Sequence, residues 1–111
     1  MELDISTENV GASCTLVLSG EVDVYTSPRL KQELADVVDA GCVQVVVDLE
    51  NLSFIDSSGL GVLVSGLRRV KDKGGTLRLV CTKDGILKIF RITGLDKVFA
   101  VFANVEEARE F

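Results

Sequence analysis

The polar residues best suited to chemistry lie in the short segment 56–61, which reads DSSGLG. It follows an apolar strand and opens a predicted helix, so Ser57 or Ser58 would lie at a helix N-terminus, where free backbone amides and the helix dipole favour negative charge. The simpler interpretation is an ordinary helix cap with glycines that allow tight packing. Gly59 and Gly61, however, each cost about 1 kcal/mol against alanine inside a helix, and the close approach of a partner's backbone would explain them.

The rest of the chain offers little for catalysis. It contains no histidine, which excludes Ser-His-Asp and Cys-His mechanisms and most zinc and haem sites. The glycines of segment 56–61 are too few for a dinucleotide fingerprint, no GxxxxGK[ST] phosphate loop occurs, and the serines lack the glycines of a nucleophile elbow. We therefore expect a non-enzyme without cofactor or metal; a nucleotide-binding module and a minimal hydrolase are the weaker alternatives.

The charge balance also excludes classes of partner. The 111 residues include 17 acidic and 12 basic side chains, a net charge of −5. This argues against a protein that binds the phosphate backbone of nucleic acids and against a polybasic membrane anchor. The acidic first residues do not resemble a signal peptide, so we expect a soluble, cytoplasmic protein. Three widely spaced cysteines, Cys14, Cys42 and Cys81, form no Cys-x-x-Cys pair, and we expect buried free thiols.

Strands and helices alternate along the chain. Apolar periodicity and capping residues predict strands near 3–6 and over 14–19, 43–49, 77–81 and 98–102. They predict helices from Thr26-Ser27-Pro28 to Gly41, from the serines of segment 56–61 to Gly74, around 86–90, and after Asn104, where a capping box begins. The order predicts one α/β domain over residues 1–111, with about five strands in a mixed, mostly parallel sheet, about four helices and an N-terminal antiparallel hairpin.

Sites in such folds gather where strands end and helices begin. This rule singles out residues 21–27 and 54–61. If the strands that precede them are parallel neighbours, Asp23 and Ser57 lie at the same edge of the sheet, although about 34 residues separate them in sequence. A hydroxyl of Thr26 or Ser27 is expected to cap the first helix, and Asp23 could be satisfied within its own turn.

Three segments resemble motifs of one known family. Residues 47–63, VDLENLSFIDSSGLGVL, look like the central motif of anti-sigma factor antagonists of the STAS domain family. Residues 20–26, GEVDVYT, resemble the family's motif before the first helix, and residues 90–99, FRITGLDKVF, resemble its C-terminal motif. The resemblance covers essentially the whole chain, with the motifs in the family's order.

The resemblance implies a partner-switching module. In that family the unmodified antagonist binds an anti-sigma factor, a serine kinase with a histidine-kinase-like ATPase fold, and so frees the sigma factor. The kinase phosphorylates the serine directly after the motif aspartate, which is Ser57 in this chain, and the phosphorylated form releases the kinase. A metal-dependent serine phosphatase resets the switch. A STAS protein of a stress-sensing or lipid-transport assembly is the alternative within the family.

The same resemblance implies the residues of the site. Physics alone does not separate Ser57 from Ser58 as the phosphate acceptor. Val62 lies off the apolar stripe of its helix, so its side chain is expected to be exposed. The expected partner-binding residues are Asp23, Tyr25, Thr26, Asp56, Ser57, Ser58, Gly59, Leu60, Gly61 and Val62.

Overall fold

Five strands form one mixed sheet in the order β1-β2-β3-β4-β5. The structure is a computed structural model that describes residues 2–111. β1 and β2 pair antiparallel, and each later strand runs parallel to the one before it. This confirms the predicted mixed sheet with its N-terminal hairpin. The strands are β1 (Leu3–Val10), β2 (Ser13–Val22), β3 (Gln44–Ile55), β4 (Thr76–Val80) and β5 (Val101–Phe102).

Helices connect the parallel strands, because strands that run parallel need a crossover between them. Residues 2–111 form α1 (Ser27–Asp39), α2 (Ser57–Asp72), α3 (Asp84–Thr93), a 3-10 turn (Leu95–Lys97) and α4 (Val105–Ala108). The side chain of Asn104 accepts a hydrogen bond from the Glu107 amide at 2.9 Å, which confirms the predicted cap of α4. Within residues 2–111, no helix is both long enough and apolar enough to cross a bilayer.

The core lies on both faces of the sheet. Val45 and Val47 of β3 join the main core, which α1, α2 and α3 cover, whereas Val46 joins a smaller cluster with Val80 of β4 and Ala108 of α4. β3 is therefore buried on both faces, as its run of β-branched residues predicts.

Four predicted strands have different lengths in the structure; β1 reaches Val10 and β2 spans Ser13–Val22, both longer than predicted. β3 continues to Ile55, six residues beyond the predicted end, because its last part still pairs with β2, although no longer with β4. The prediction ended early because polar residues interrupt the apolar pattern of this last part. β5 is much shorter than predicted. A 3-10 turn at Leu95–Lys97 lies just before the predicted strand, and the amides of Val98 and Phe99 both donate to the Leu95 carbonyl oxygen. The ring of Phe99 packs edge-on against Phe90, with 6.1 Å between ring centroids. Burial in the core thus takes Phe99 out of the strand.

The prediction of free thiols is wrong for two of the three cysteines. Cys14 and Cys42 form a disulfide, with 6.4 Å between their Cα atoms. Cys14 lies at the start of β2 and Cys42 lies two residues before β3, and parallel pairing sets these strand starts side by side. We call this end of the β2–β3 pair, marked by Cys14 and Cys42, the amino edge. Cys81 is free and buried, as predicted.

Candidate functional site

The loops that follow β2 and β3 meet at the opposite end of this strand pair. Val22 pairs with Ile55, and the Asp56 amide donates to the Val22 carbonyl oxygen at 3.1 Å. We call residues 23–27 and 56–62 the carboxyl edge. β2 and β3 are thus the parallel neighbours that the sequence-based argument required, and the residues that follow them share one edge of the sheet.

Asp56 caps α2 with its side chain. Its Oδ1 atom accepts hydrogen bonds from the Ser58 amide at 2.9 Å and from the Gly59 amide at 3.2 Å. The Ser58 hydroxyl donates to the same oxygen. This bond from Ser58 is the main reason why the pKa of Asp56 lies below its usual value; backbone amides, including that of Val24, add to the lowering, while desolvation opposes it.

The two serines of the helix start differ in their surroundings. Ser57 is the first residue of α2 and is exposed. Its hydroxyl has no hydrogen-bond partner within residues 2–111, whereas the half-buried Ser58 hydroxyl is bonded to Asp56. Of the two serines at the helix start, Ser57 is therefore the more exposed and the one whose hydroxyl is free of hydrogen bonds within residues 2–111.

Asp23 holds the loop after β2 in shape. It is only 5% exposed. Its Oδ1 atom accepts from the amides of Tyr25 and Thr26, both at 2.9 Å, and lies 3.2 Å from the Thr26 hydroxyl. Its Oδ2 atom is buried and has no hydrogen-bond partner within residues 2–111. The carboxylate is thus satisfied on one side within its own turn, and a direct contact between Asp23 and a partner stays a prediction.

The expected helix cap by Thr26 is wrong. Thr26 occupies the cap position of α1, but its side chain makes no capping hydrogen bond. Its hydroxyl instead donates to the Glu21 carbonyl oxygen and accepts from the Asp23 amide, each at 2.9 Å. These two bonds occupy the hydroxyl, so Thr26 holds the loop against the end of β2 and does not cap α1.

The tied loop presents two apolar side chains to solvent. Val24 is 61% exposed and Tyr25 is 85% exposed. Phe54, two residues before Asp56, is also exposed. The sequence-based site omitted Val24 and Phe54. Val24 could have been recognised as an apolar residue next to a turn aspartate. Strand alternation turns Phe54 away from its buried neighbour Ile55 and could have indicated it.

The residues of the first turns of α2 divide between core and surface. A Cβ atom on Gly59 would lie 2.6 Å from Val22 Cγ1 and 2.8 Å from Ile55 Cγ1, so this glycine lets α2 approach the strand ends. Leu60 is also buried. Both residues lie beneath the surface, so a direct contact between either of them and a partner stays a prediction. Gly61 is exposed with open space around it, and Val62 is half-buried instead of exposed as predicted.

The helix start is not an empty anion site. The sequence predicted free amides there, but the Asp56 carboxylate already binds the amides of Ser58 and Gly59. A negative group added to Ser57 would therefore stand beside an existing negative charge. The site thus presents an exposed hydroxyl beside a capped helix start. A charged group added to that hydroxyl would change the local electrostatic potential strongly.

Known proteins resemble this chain over nearly its whole length. A family model described as the STAS domain matches residues 4–108. The anti-sigma-B factor antagonist of Staphylococcus aureus is 34% identical over 106 residues, which cover 96% of this chain and 98% of that protein.

Two solved structures share the fold. An anti-sigma factor antagonist from Mycobacterium paratuberculosis superposes with a TM-score of 0.88 at 26% identity, covering 96% of this chain and 91% of that one. The Bacillus cell fate determinant SpoIIAA, solved in its phosphorylated form, gives a TM-score of 0.74 at 25% identity, covering 95% and 96% of the two chains.

Proposed function

The chain belongs to the STAS domain family, and from this premise we propose that it is an anti-sigma factor antagonist controlled by phosphorylation of Ser57. The unmodified form binds an anti-sigma factor with serine kinase activity and so frees a sigma factor. Phosphorylation of Ser57 ends that binding, and a serine phosphatase restores it. The names of the relatives support the role as an anti-sigma factor antagonist, and the geometry of the carboxyl edge supports the control by phosphorylation of Ser57.

One observation carries the choice of Ser57. Its hydroxyl is exposed and free of intramolecular hydrogen bonds within residues 2–111, while the Ser58 hydroxyl is bonded to Asp56. A kinase must align the acceptor hydroxyl with the γ-phosphate, and an unengaged hydroxyl needs no hydrogen bond broken first. Ser58 and Asp56 then serve to hold the helix start rigid around the acceptor.

The switch works by local charge. A phosphate on Ser57 adds about −1.5 to −2 charges at pH 7. It stands beside the Asp56 carboxylate, on a chain whose net charge is already −5. A kinase must also bring its own nucleotide phosphates close to this point. A repulsion of about 3 kcal/mol across the interface lowers affinity more than a hundredfold, and no refolding of the domain is needed.

The partner surface is formed by the exposed groups of the carboxyl edge. Val24 and Tyr25 supply apolar contact area next to Ser57, and Gly61 allows a partner's backbone to come close to α2. Aromatic side chains are enriched at such interfaces. Asp23 and Thr26 act beneath this surface, since their hydrogen bonds fix the loop that carries the two apolar residues.

In this reaction the chain is substrate and binding partner and not the catalyst. It lacks the histidine that could activate a serine, and within residues 2–111 the Ser57 hydroxyl has no hydrogen-bond partner that could act as a base. A nucleotide-binding module is the alternative from another class. Titration with ATP alone distinguishes them: we expect neither tight binding nor hydrolysis, and micromolar binding would favour the alternative.

The phosphorylation site is tested with four forms of the chain. The wild type, Ser57→Ala, Ser58→Ala and the control Ser6→Ala, a serine exposed on β1, are incubated with ATP and an anti-sigma factor kinase of the same organism. We expect phosphate on Ser57 in all forms but Ser57→Ala, and persistent kinase binding by that variant. Phosphopeptides that carry the group only on Ser58 or Thr26 would overturn the assignment.

A further inference from the structure

The disulfide at the amino edge has no part in the proposed switch. It joins residues 28 positions apart and closes a loop that contains most of β2 and the whole of α1. It also links β2 to the loop that leads into β3, and these two strands carry the carboxyl edge. Measured along β2, Cys14 lies eight residues from Val22, or about 26 Å at ~3.3 Å per residue. The bond is therefore far from Ser57 but acts on the same strand pair.

The two cysteines of this bond differ in exposure. Cys14 is 6% exposed, whereas Cys42 is half-buried in the loop before β3. An attacking thiolate must approach a disulfide sulfur directly, so Cys42 is the sulfur open to attack. The third cysteine, Cys81, is buried at the end of β4 and unpaired, and burial raises the pKa of its thiol. Both properties make Cys81 a poor competitor for exchange.

We propose that Cys14 and Cys42 are a reversible oxidation site that exchanges with low-molecular-weight thiols and disulfides of the glutathione class. In reduction, one small thiolate attacks Cys42 Sγ, forms a mixed disulfide and releases Cys14 as thiolate. A second small thiolate then attacks the sulfur of the first, which releases Cys42 as thiolate and leaves the small disulfide. Two electrons pass from the small thiols to the protein, and the reverse sequence reoxidises it.

The consequence of this chemistry is a change in stability without a change in the carboxyl edge. Closing a loop of this length removes conformational freedom from the unfolded chain. For a domain of this size the effect corresponds to a rise in melting temperature of about 10–15 °C. The hydrogen bonds of Asp23 and Asp56 that shape the carboxyl edge involve neither cysteine, so they persist in the reduced form.

The test compares the wild type after incubation with oxidised glutathione and after reduction with dithiothreitol. Intact-mass analysis after alkylation should find one free thiol in the oxidised form and three in the reduced form. The oxidised form should melt about 10–15 °C higher, while the amides of residues 57–60 exchange hydrogen at the same rate in both forms after allowance for global unfolding.

Single substitutions locate the effect. Cys14→Ala and Cys42→Ala should lose the dependence of melting temperature on oxidation, and the matched control Cys81→Ala should keep it. Three free thiols in the wild type after oxidation would overturn the proposal, and this result does not depend on whether the variants fold. A redox dependence that disappears in Cys81→Ala, or faster exchange at residues 57–60 on reduction, would overturn it as well. These readouts do not involve a kinase, so they are independent of the proposed function.

Discussion

The two ends of the β2–β3 pair use the same topology for opposite purposes. At the amino edge a covalent bond joins Cys14 to Cys42 beside the strand starts. At the carboxyl edge two aspartates, Asp23 and Asp56, fold the loops through hydrogen bonds to nearby amides. Parallel pairing brings distant segments together at both ends, but it does not decide whether the meeting point is tied covalently or left open to partners.

This difference separates stability from binding. A disulfide restricts the unfolded chain and offers no side chain for recognition. Short hydrogen-bonded turns leave their neighbours exposed, as Val24, Tyr25 and Ser57 are. Changes at the amino edge should therefore move the melting temperature, and changes at the surface of the carboxyl edge should move affinity. The following predictions test this separation, from the largest expected effect to the smallest.

Phosphorylated Ser57, and more weakly Ser57→Asp, should reduce kinase affinity while leaving the fold intact. We expect at least a hundredfold loss for the phosphorylated form, about 3 kcal/mol, and a change of only a few degrees in melting temperature. Calorimetric titration and circular dichroism measure the two quantities. A phosphorylated chain that loses its helical signal would show that the two edges are not separable.

Removal of the Asp23 side chain should destabilise the carboxyl edge from beneath. Asp23→Ala deletes the acceptor of the Tyr25 and Thr26 amides, which should lower the free energy of unfolding by about 2 kcal/mol. Asp23→Asn keeps an acceptor oxygen and should cost less than about 1 kcal/mol, yet still weaken kinase binding. Urea titration of both variants, with the exposed Asp39→Ala as control, provides the measurement. Equal losses in the Ala and Asn variants would argue against this role.

Two glycines of α2 should respond to alanine with opposite signs. Gly59→Ala forces a Cβ into Val22 and Ile55, and we expect a net loss of stability of about 1 kcal/mol after the gain in helix propensity. Gly61→Ala meets open space and should stabilise the helix by up to about 1 kcal/mol while weakening partner binding. Thermal unfolding and kinase titration distinguish them. A stable Gly61→Ala with full affinity would remove Gly61 from the partner surface.

The smallest effect concerns acid. The pKa of Asp56 is lowered in the folded state, chiefly by the Ser58 hydroxyl. Its contribution to stability is therefore present above its usual pKa of 3.8 and disappears as the pH falls through the lower folded value. As the pH falls below 3.8, Asp56→Asn should lose less stability than the wild type. Parallel acid unfolding curves for the two forms would contradict this assignment.

Much of this arrangement could be predicted from local patterns. Apolar spacing placed α1 and α2, Asn104 marked the start of α4, and the polar residues after an apolar strand marked the start of α2. The shared edge of Asp23 and Ser57 followed from the expected parallel order. These inferences worked because they depend on residues close in sequence or on the chirality of crossovers.

Other features depended on contacts that no local pattern contains. The disulfide was missed, although the reasoning that joined Asp23 to Ser57 at one end applies equally to Cys14 and Cys42 at the other. Phe99 looked like a strand residue, and only its packing on Phe90 takes it out of the sheet. Gly59 suggested a partner's backbone, but its neighbours are the chain's own Val22 and Ile55.

By itself, the sequence determined the order of strands and helices, the excess of negative charge and the presence of two adjacent serines at a helix start. Only the tertiary structure distinguished the surroundings of those two serines. The Asp56 side chain could have bonded to either hydroxyl, and the geometry of the capped turn directs it to Ser58. Which cysteines meet was decided in the same way, because strand register sets distances that sequence separation does not.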